Sequence, residues 1–223
     1  MAAAAPVQAP AKRVKITEIF RSIQGEAHAA GWPTTFIRLT GCPLRCTWCD
    51  TAYAFHGGRW WTFDDVLAEV EGLGVKHVCV TGGEPLAQKR CFDLLTGLCD
   101  AGYAVSLETS GALDVSAVDP RVRRVVDLKA PASGESGRNR WENLEVLRPE
   151  EEVKFVIADR DDFDWALARV QEHSIAERVT VLFSPVWESL PPAELAAWIL
   201  DAGAPVRLQV QLHKVLWGEE PGR

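Results

Sequence analysis

The chain has 223 residues, 47% of them hydrophobic and 25% charged, long enough to bury a sizeable core and ordinary in balance for a globular protein. Its net charge of −7 argues against a general binder of nucleic-acid phosphates, and no apolar run reaches the ~18–20 residues that span a bilayer. Residues 1–13 are rich in Ala and Pro but lack the apolar centre of a secretory signal, so they read as a flexible tail on one cytoplasmic domain, 14–223.

Residues 14–23 alternate loosely through Val14, Ile16, Ile19 and Phe20 and predict a first strand, ending at the polar turn Gln24-Gly25-Glu26. Gly31-Trp32-Pro33 punctuates a loop, and 35–40 predicts a short strand carrying Phe36, Ile37 and Leu39. Thr62 suits the cap of a helix through Leu73, with Phe63, Val66, Leu67 and Val70 on one face. A β-branched strand over 76–81 runs straight into Gly82-Gly83-Glu84-Pro85. A helix over 87–101 follows, then strands over 103–108, 124–128 and 153–157. A helix over 161–173, a strand over 178–183, a helix over 191–202 and a last strand over 206–211 complete the series. The Gly- and Ser-rich stretch 131–139 predicts a mobile loop.

Strands that alternate with helices imply right-handed βαβ units and a parallel sheet. The chain falls short of the ~250 residues typical of a closed eight-unit barrel. The expected fold is therefore α/β, an open, partial parallel barrel of about six strands. Polar and glycine residues cluster where strands end, which is where parallel sheets place their sites.

The first of those ends is Thr-Gly-Cys-Pro-Leu-Arg-Cys-Thr-Trp-Cys-Asp-Thr, residues 40–51, with Cys42, Cys46 and Cys49 separated by three and then two residues. Thiolates are the soft ligands of iron–sulfur clusters and zinc. A structural zinc wants four ligands and this stretch supplies three; a lone Cys-x-x-Cys also serves redox sites. Three thiolates on a cubane of four irons leave one iron open to a small molecule. Cys79, Cys91 and Cys99 form no second group and read as buried, hydrophobe-like cysteines.

The cysteine spacing, with Trp48 before the last cysteine, resembles the signature of radical S-adenosylmethionine (SAM) enzymes, and Gly82-Gly83-Glu84 resembles the turn that grips the methionine amino group there. Further stretches narrow the resemblance to the 7-carboxy-7-deazaguanine synthase family: Ile16 to Glu26, continued by Phe36 to Cys42, then Cys49 to Thr51, and Gln209 to Gly218. Ala27 departs from the pattern, where relatives carry glycine, and so does Asp127-Leu128, where many have Ser-Pro before the lysine.

The resemblance implies one 4Fe–4S cluster per chain on Cys42, Cys46 and Cys49, with SAM chelated to the open iron. It places the cofactor against Trp48, Cys49 and Asp50, against Gly82, Gly83 and Glu84, and against Glu108 of the Glu-Thr-Ser-Gly stretch. Asp127, Leu128 and Lys129, with Ser184, Pro185, Val186 and Trp187, would contact its adenosine part. Substrate contacts carried over are Ile23, Gln24, Gly25, Glu26, Arg38, Thr81, His213 and Lys214, with Thr51 as a ligand of Mg2+. Outside the resemblance, Arg38 reads as a salt-bridge arginine and His213 as a core histidine. The implied reaction contracts the ring of 6-carboxy-5,6,7,8-tetrahydropterin to 7-carboxy-7-deazaguanine with loss of ammonia, on the way to queuosine-type bases. Cluster reduction implies an external, flavodoxin-like electron donor, and an exposed sheet edge is a motive for a homodimer. Neither nucleic acid nor membrane is an expected partner. Two rivals stand: an activase that makes a glycyl radical on a partner protein, and a non-enzymatic metal or electron-transfer protein.

Overall fold

A computed structural model describes residues 12–220 and 222. The expected tail, 1–13, lies outside the described residues except for Lys12 and Arg13, and Arg13 already belongs to the sheet. Strand β1 (Arg13–Ile23) pairs antiparallel with β2 (Pro33–Leu39) on one side and with β3 (Arg59–Thr62) on the other. Parallel pairing then takes over from β2 through β4 (His77–Gly82), β5 (Ala104–Thr109), β6 (Arg123–Leu128), β7 (Glu152–Ile157), β8 (Thr180–Pro185) and the two-residue β9 (Arg207–Leu208). The order β3-β1-β2-β4-β5-β6-β7-β8-β9 begins and ends on unpaired edges, so the barrel is partial. Helices α1 (Phe63–Leu73), α2 (Cys91–Asp100), α3 (Arg160–Glu172) and α4 (Pro192–Ala202) lie in the crossovers before β4, β5, β8 and β9, 3-10 turns join β6 to β7, and α5 (Leu212–Trp217) follows β9.

The two-residue period of the strands sorts their side chains between a greasy face and a polar one. On the helix side, Ile37, Leu39, Val78, Val80, Val105 and Leu107 pack with Val66 and Val70 of α1 and with Leu94, Leu95 and Leu98 of α2. Farther along, Val126, Leu128, Val153, Phe155, Ile157, Val181 and Phe183 pack with Phe163, Ala166 and Val170 of α3 and Leu195 of α4. Intervening residues point the other way: Arg38, Thr81, Glu108, Asp127 and Lys154, one from each of five successive strands, line a cavity. Parallel strands covered on both faces are normally apolar throughout. A lane of charge along the concave face therefore marks the site.

Thr62 caps α1 as expected. Its Oγ1 accepts from Asp65 N at 3.1 Å, and the Asp65 carboxylate accepts in return from Thr62 N. Thr62→Ala is expected to lower stability by about 1 kcal/mol, read as a shift of the urea midpoint at unchanged slope.

Four expectations need correction. Residues 59–62 form an unforeseen edge strand. Helix α2 begins at Cys91, because Pro85–Ala87 forms a 3-10 turn and the Gln88 side chain is tied to both main-chain groups of Lys15 and to Thr40 O. The last strand pairs only over Arg207–Leu208 and gives way to α5. The stretch 131–139 is two 3-10 turns strapped to the cysteine loop rather than a free flap: Ser133 O accepts from Thr47 N at 3.0 Å, and Ala132 O from Thr47 Oγ1 at 3.1 Å. No helix among the described residues is long and apolar enough to cross a membrane.

Candidate active site

The cysteine loop leaves the carboxyl end of β2 and folds back over the Gly-Gly-Glu turn. Leu44 is buried and anchors the loop, while the Arg45 guanidinium donates to Cys42 O at 2.8 Å and lies over the Phe55 ring at 4.2 Å. Gly41 O accepts from Glu84 N at 2.8 Å, and Leu39 O from Gly83 N at 3.2 Å. This contact is possible only without side chains. Gly82 has φ +148°, and a methyl at Gly83 would strike the Gly41 carbonyl and stand 2.8 Å from Cys42 Cβ.

Cys42, Cys46 and Cys49 line one cavity of about 710 Å³ together with Gly82, Gly83 and the polar lane. Among the described residues, no three His, Cys, Asp or Glu side chains converge on a single-ion position. Burial pushes the Cys42 and Cys46 thiols up, with Lys129 pulling Cys46 the other way. A bound metal would therefore have to draw these protons off.

The opposite wall is a connected set of charges. Lys154 Nζ lies 2.6 Å from Glu26 Oε2 and 3.4 Å from Asp127 Oδ2, and Asp127 also pairs with Lys129 at 3.1 Å. Glu26 further accepts from Gln209 Nε2 at 3.2 Å and Gln211 Nε2 at 2.9 Å. Burial works against its charge, but Lys154, helped by Gln211 and His213, holds the carboxyl well below the usual carboxylate range. Glu108 accepts from Gln24 Nε2 and Thr81 Oγ1, and burial, reinforced by Glu26, raises it. Arg38 Nε donates to Glu18 at 2.7 Å while its guanidinium lies over the Phe20 and Tyr53 rings. Lys214 of α5 pairs with Asp50 of the cysteine loop at 3.1 Å and lies over Trp187.

Residues 36–172 match the family described as the Radical SAM superfamily. The chain is 44% identical over 210 residues to the 7-carboxy-7-deazaguanine synthase of Chlorobaculum tepidum, covering 93% of this chain and 96% of that one. It is 42% identical to the synthase of Koribacter versatilis, covering 93% and 98%. The chain belongs to the 7-carboxy-7-deazaguanine synthase family of radical SAM enzymes. Its fold is similar to that of QueE from Escherichia coli, with TM-score 0.75 at 24% identity over 90% of this chain and 95% of that one.

Radical SAM membership brings a 4Fe–4S cluster and SAM, and the residues fit both. A cubane spans several iron positions, so thiols need to face one cavity rather than one point. The glycine turn leaves main chain open beside them, and the buried Asp127 Oδ1 has no hydrogen-bond partner among the described residues, an acceptor left for a ligand.

Most residues anticipated from sequence line this cavity: Trp48, Asp50, Thr51, Thr81, Lys129, Val186, Trp187, His213 and Lys214, besides those described above. Five do not. Glu84 is fully buried with its carboxylate spent on Leu86 N, Thr109 Oγ1 and both Ser110 donors, so it braces the turn instead of receiving an ammonium. Leu128 falls on the helix side of β6 by strand alternation. Ser184 and Pro185 are buried in β8 outside the lining. Gly25 is buried against the His213 ring and offers Gly25 O to Leu212 N. Glu108 does line the cavity, and its carboxylate bonds Gln24 and Thr81 there. Lys154 was missed altogether. A lysine inside Glu-Val-Lys-Phe-Val-Ile, a strand otherwise hydrophobic to its end, was the available signal.

Proposed function

We propose that this cavity converts 6-carboxy-5,6,7,8-tetrahydropterin to 7-carboxy-7-deazaguanine with release of ammonia, for 7-deazapurine biosynthesis. The observation that carries it is the wall facing the cysteines, which sets a charged acceptor, Glu26, a cationic fork, Arg38, and the polar groups of Gln24, Thr81 and His213 around one space. A reduced pterin offers the complementary set: an aminopyrimidinone edge rich in N–H donors, and a carboxylate.

In this reading Cys42, Cys46 and Cys49 hold the cluster, while Trp48 to Asp50, Gly82, Gly83, Asp127, Lys129, Val186 and Trp187 hold SAM. When bound, cluster and SAM supply the radical that takes a hydrogen atom from the substrate. Glu26, whose charge the neighbouring Lys154 ammonium favours, accepts from the pterin edge. Arg38 keeps terminal donors for the carboxylate while Glu18 holds Nε. Thr51 would ligate Mg2+ through its hydroxyl, the substrate carboxylate and water completing the shell, since Asp50 is engaged by Lys214. Tyr53, Phe55 and Trp187 give the same cavity aromatic walls beside the polar lane.

The enzyme takes electrons from an external one-electron donor and works in the cytoplasm. It pairs as a homodimer through the β9 edge, where Leu200, Leu208, Val210, Val215 and Leu216 are exposed. Anaerobically reconstituted and reduced with SAM and Mg2+, the chain is expected to turn the carboxypterin into a deazapurine chromophore and ammonia. Intact pterin after many equivalents of SAM would overturn the assignment.

A further inference from the structure

We propose that Lys154 is a positioning residue for the pterin, acting through Glu26, whose carboxylate it holds charged and aimed into the cavity; this rests on the pterin reading above. Lys154 sits on β7 in register with Asp127, inside the sheet rather than on a loop, and is buried. Its Nζ is 2.6 Å from Glu26 Oε2, on the turn that ends β1. A rigid strand thus fixes a residue carried by a turn.

The surroundings leave no substitute. From β6, Asp127 faces the same ammonium, yet Asp127 keeps Lys129 as a second partner at 3.1 Å. From β5, Glu108 adds negative charge near Glu26. From β2, Arg38 is engaged by Glu18. From α5, burial works against a charge on His213, and its pull on Glu26 ranks below that of Lys154. Gln209 and Gln211 donate hydrogen bonds but carry no charge. Without Lys154, Glu26 is a buried carboxylate beside two others. Burial and repulsion then raise it, and it loses an acceptor site when it protonates.

The test uses the reconstituted holoenzyme under anaerobic conditions. In Lys154→Met, KM for the carboxypterin should rise roughly tenfold or more while kcat changes less, and the acid limb of kcat/KM should move to higher pH. The sign follows from Glu26: the Lys154 ammonium holds it well below the usual carboxylate range in wild type, whereas in the variant burial and repulsion raise it, so it protonates at higher pH. Lys154→Arg, which keeps a cation, should retain the wild-type acid limb. Because a lone buried charge can impair folding, the double variant Lys154→Met/Glu26→Gln is compared with Glu26→Gln; it removes both charges together. If Lys154 acts through Glu26, the two have kcat/KM within about twofold. A further tenfold loss in the double variant, or an unmoved KM and acid limb in Lys154→Met, overturns the proposal. Wild-type turnover reports separately on the pterin assignment, so the two failures look different.

Discussion

Cys46→Ala is expected to abolish turnover and to leave a reconstituted chain far below the about four irons and four labile sulfides of an intact cluster. Three thiolates hold a four-iron body at three corners, and removing one leaves two irons without a protein ligand. No other cysteine can step in: Cys79 is buried within β4, and Cys91 and Cys99 belong to α2, which packs on the far face of the sheet. The same variant should keep its far-ultraviolet dichroism, because the loop is anchored by Leu44, Arg45 and the turns at 131–138 independently of the metal. Iron and sulfide assays on parallel reconstitutions check this. Undiminished iron with wild-type turnover would show that the loop is not the cluster's holder.

Glu84→Ala should lower stability strongly, by about 3–6 kcal/mol. The carboxylate, 0% exposed, accepts from Leu86 N at 2.9 Å, Ser110 N at 2.7 Å, Ser110 Oγ at 2.5 Å and Thr109 Oγ1 at 2.9 Å. Alanine orphans two main-chain N–H groups in the interior, at about 1–3 kcal/mol each, and opens a void beside them. Glu84→Gln keeps one acceptor oxygen and should lose less. The comparison belongs on the apoprotein, where cofactor binding cannot mask the loss. A urea midpoint for Glu84→Ala equal to wild type would refute the bracing role. Loss of the brace should also release the Gly-Gly turn from the Gly41 carbonyl, so SAM affinity falls even in protein that remains folded.

Sequence alone carried the parallel core because each strand ran apolar between clear turn signals, as in His-Val-Cys-Val-Thr-Gly and Arg-Arg-Val-Val-Asp-Leu. It missed β3, because Arg59, Trp60 and Trp61 sit on an exposed edge whose conformation comes from pairing with β1 and not from its own pattern. It overran β9 for the opposite reason. Leu208 and Val210 alternate like strand residues, but after Leu208 the chain turns so that Leu212 N can reach Gly25 O. The cysteine loop was legible from spacing, since ligand chemistry demands that spacing. The two faces of a strand were harder: whether Leu128 or Asp127 meets a ligand depends on which face the helices cover, and only packing decides that. Glu84 shows the same limit. An acid beside two glycines suggested an ammonium partner, while the donors it meets, Thr109 and Ser110, stand at the end of β5, 25 and 26 positions on.

The hydrogen bonds that join Glu26 and Ala27 to Gln209 and Gln211 span 182 to 185 positions of sequence. A ribosome releases about 5–20 residues each second, amino end first, so the turn at Glu26 waits on the order of ten to forty seconds before those amides exist. Over most of that interval the cysteine loop and the glycine turn beneath it have already emerged. The cysteine loop can therefore settle on the glycine turn well before Gln209 and Gln211 exist to tie Glu26 in place, so that corner of the cavity takes its final shape later than the loop opposite.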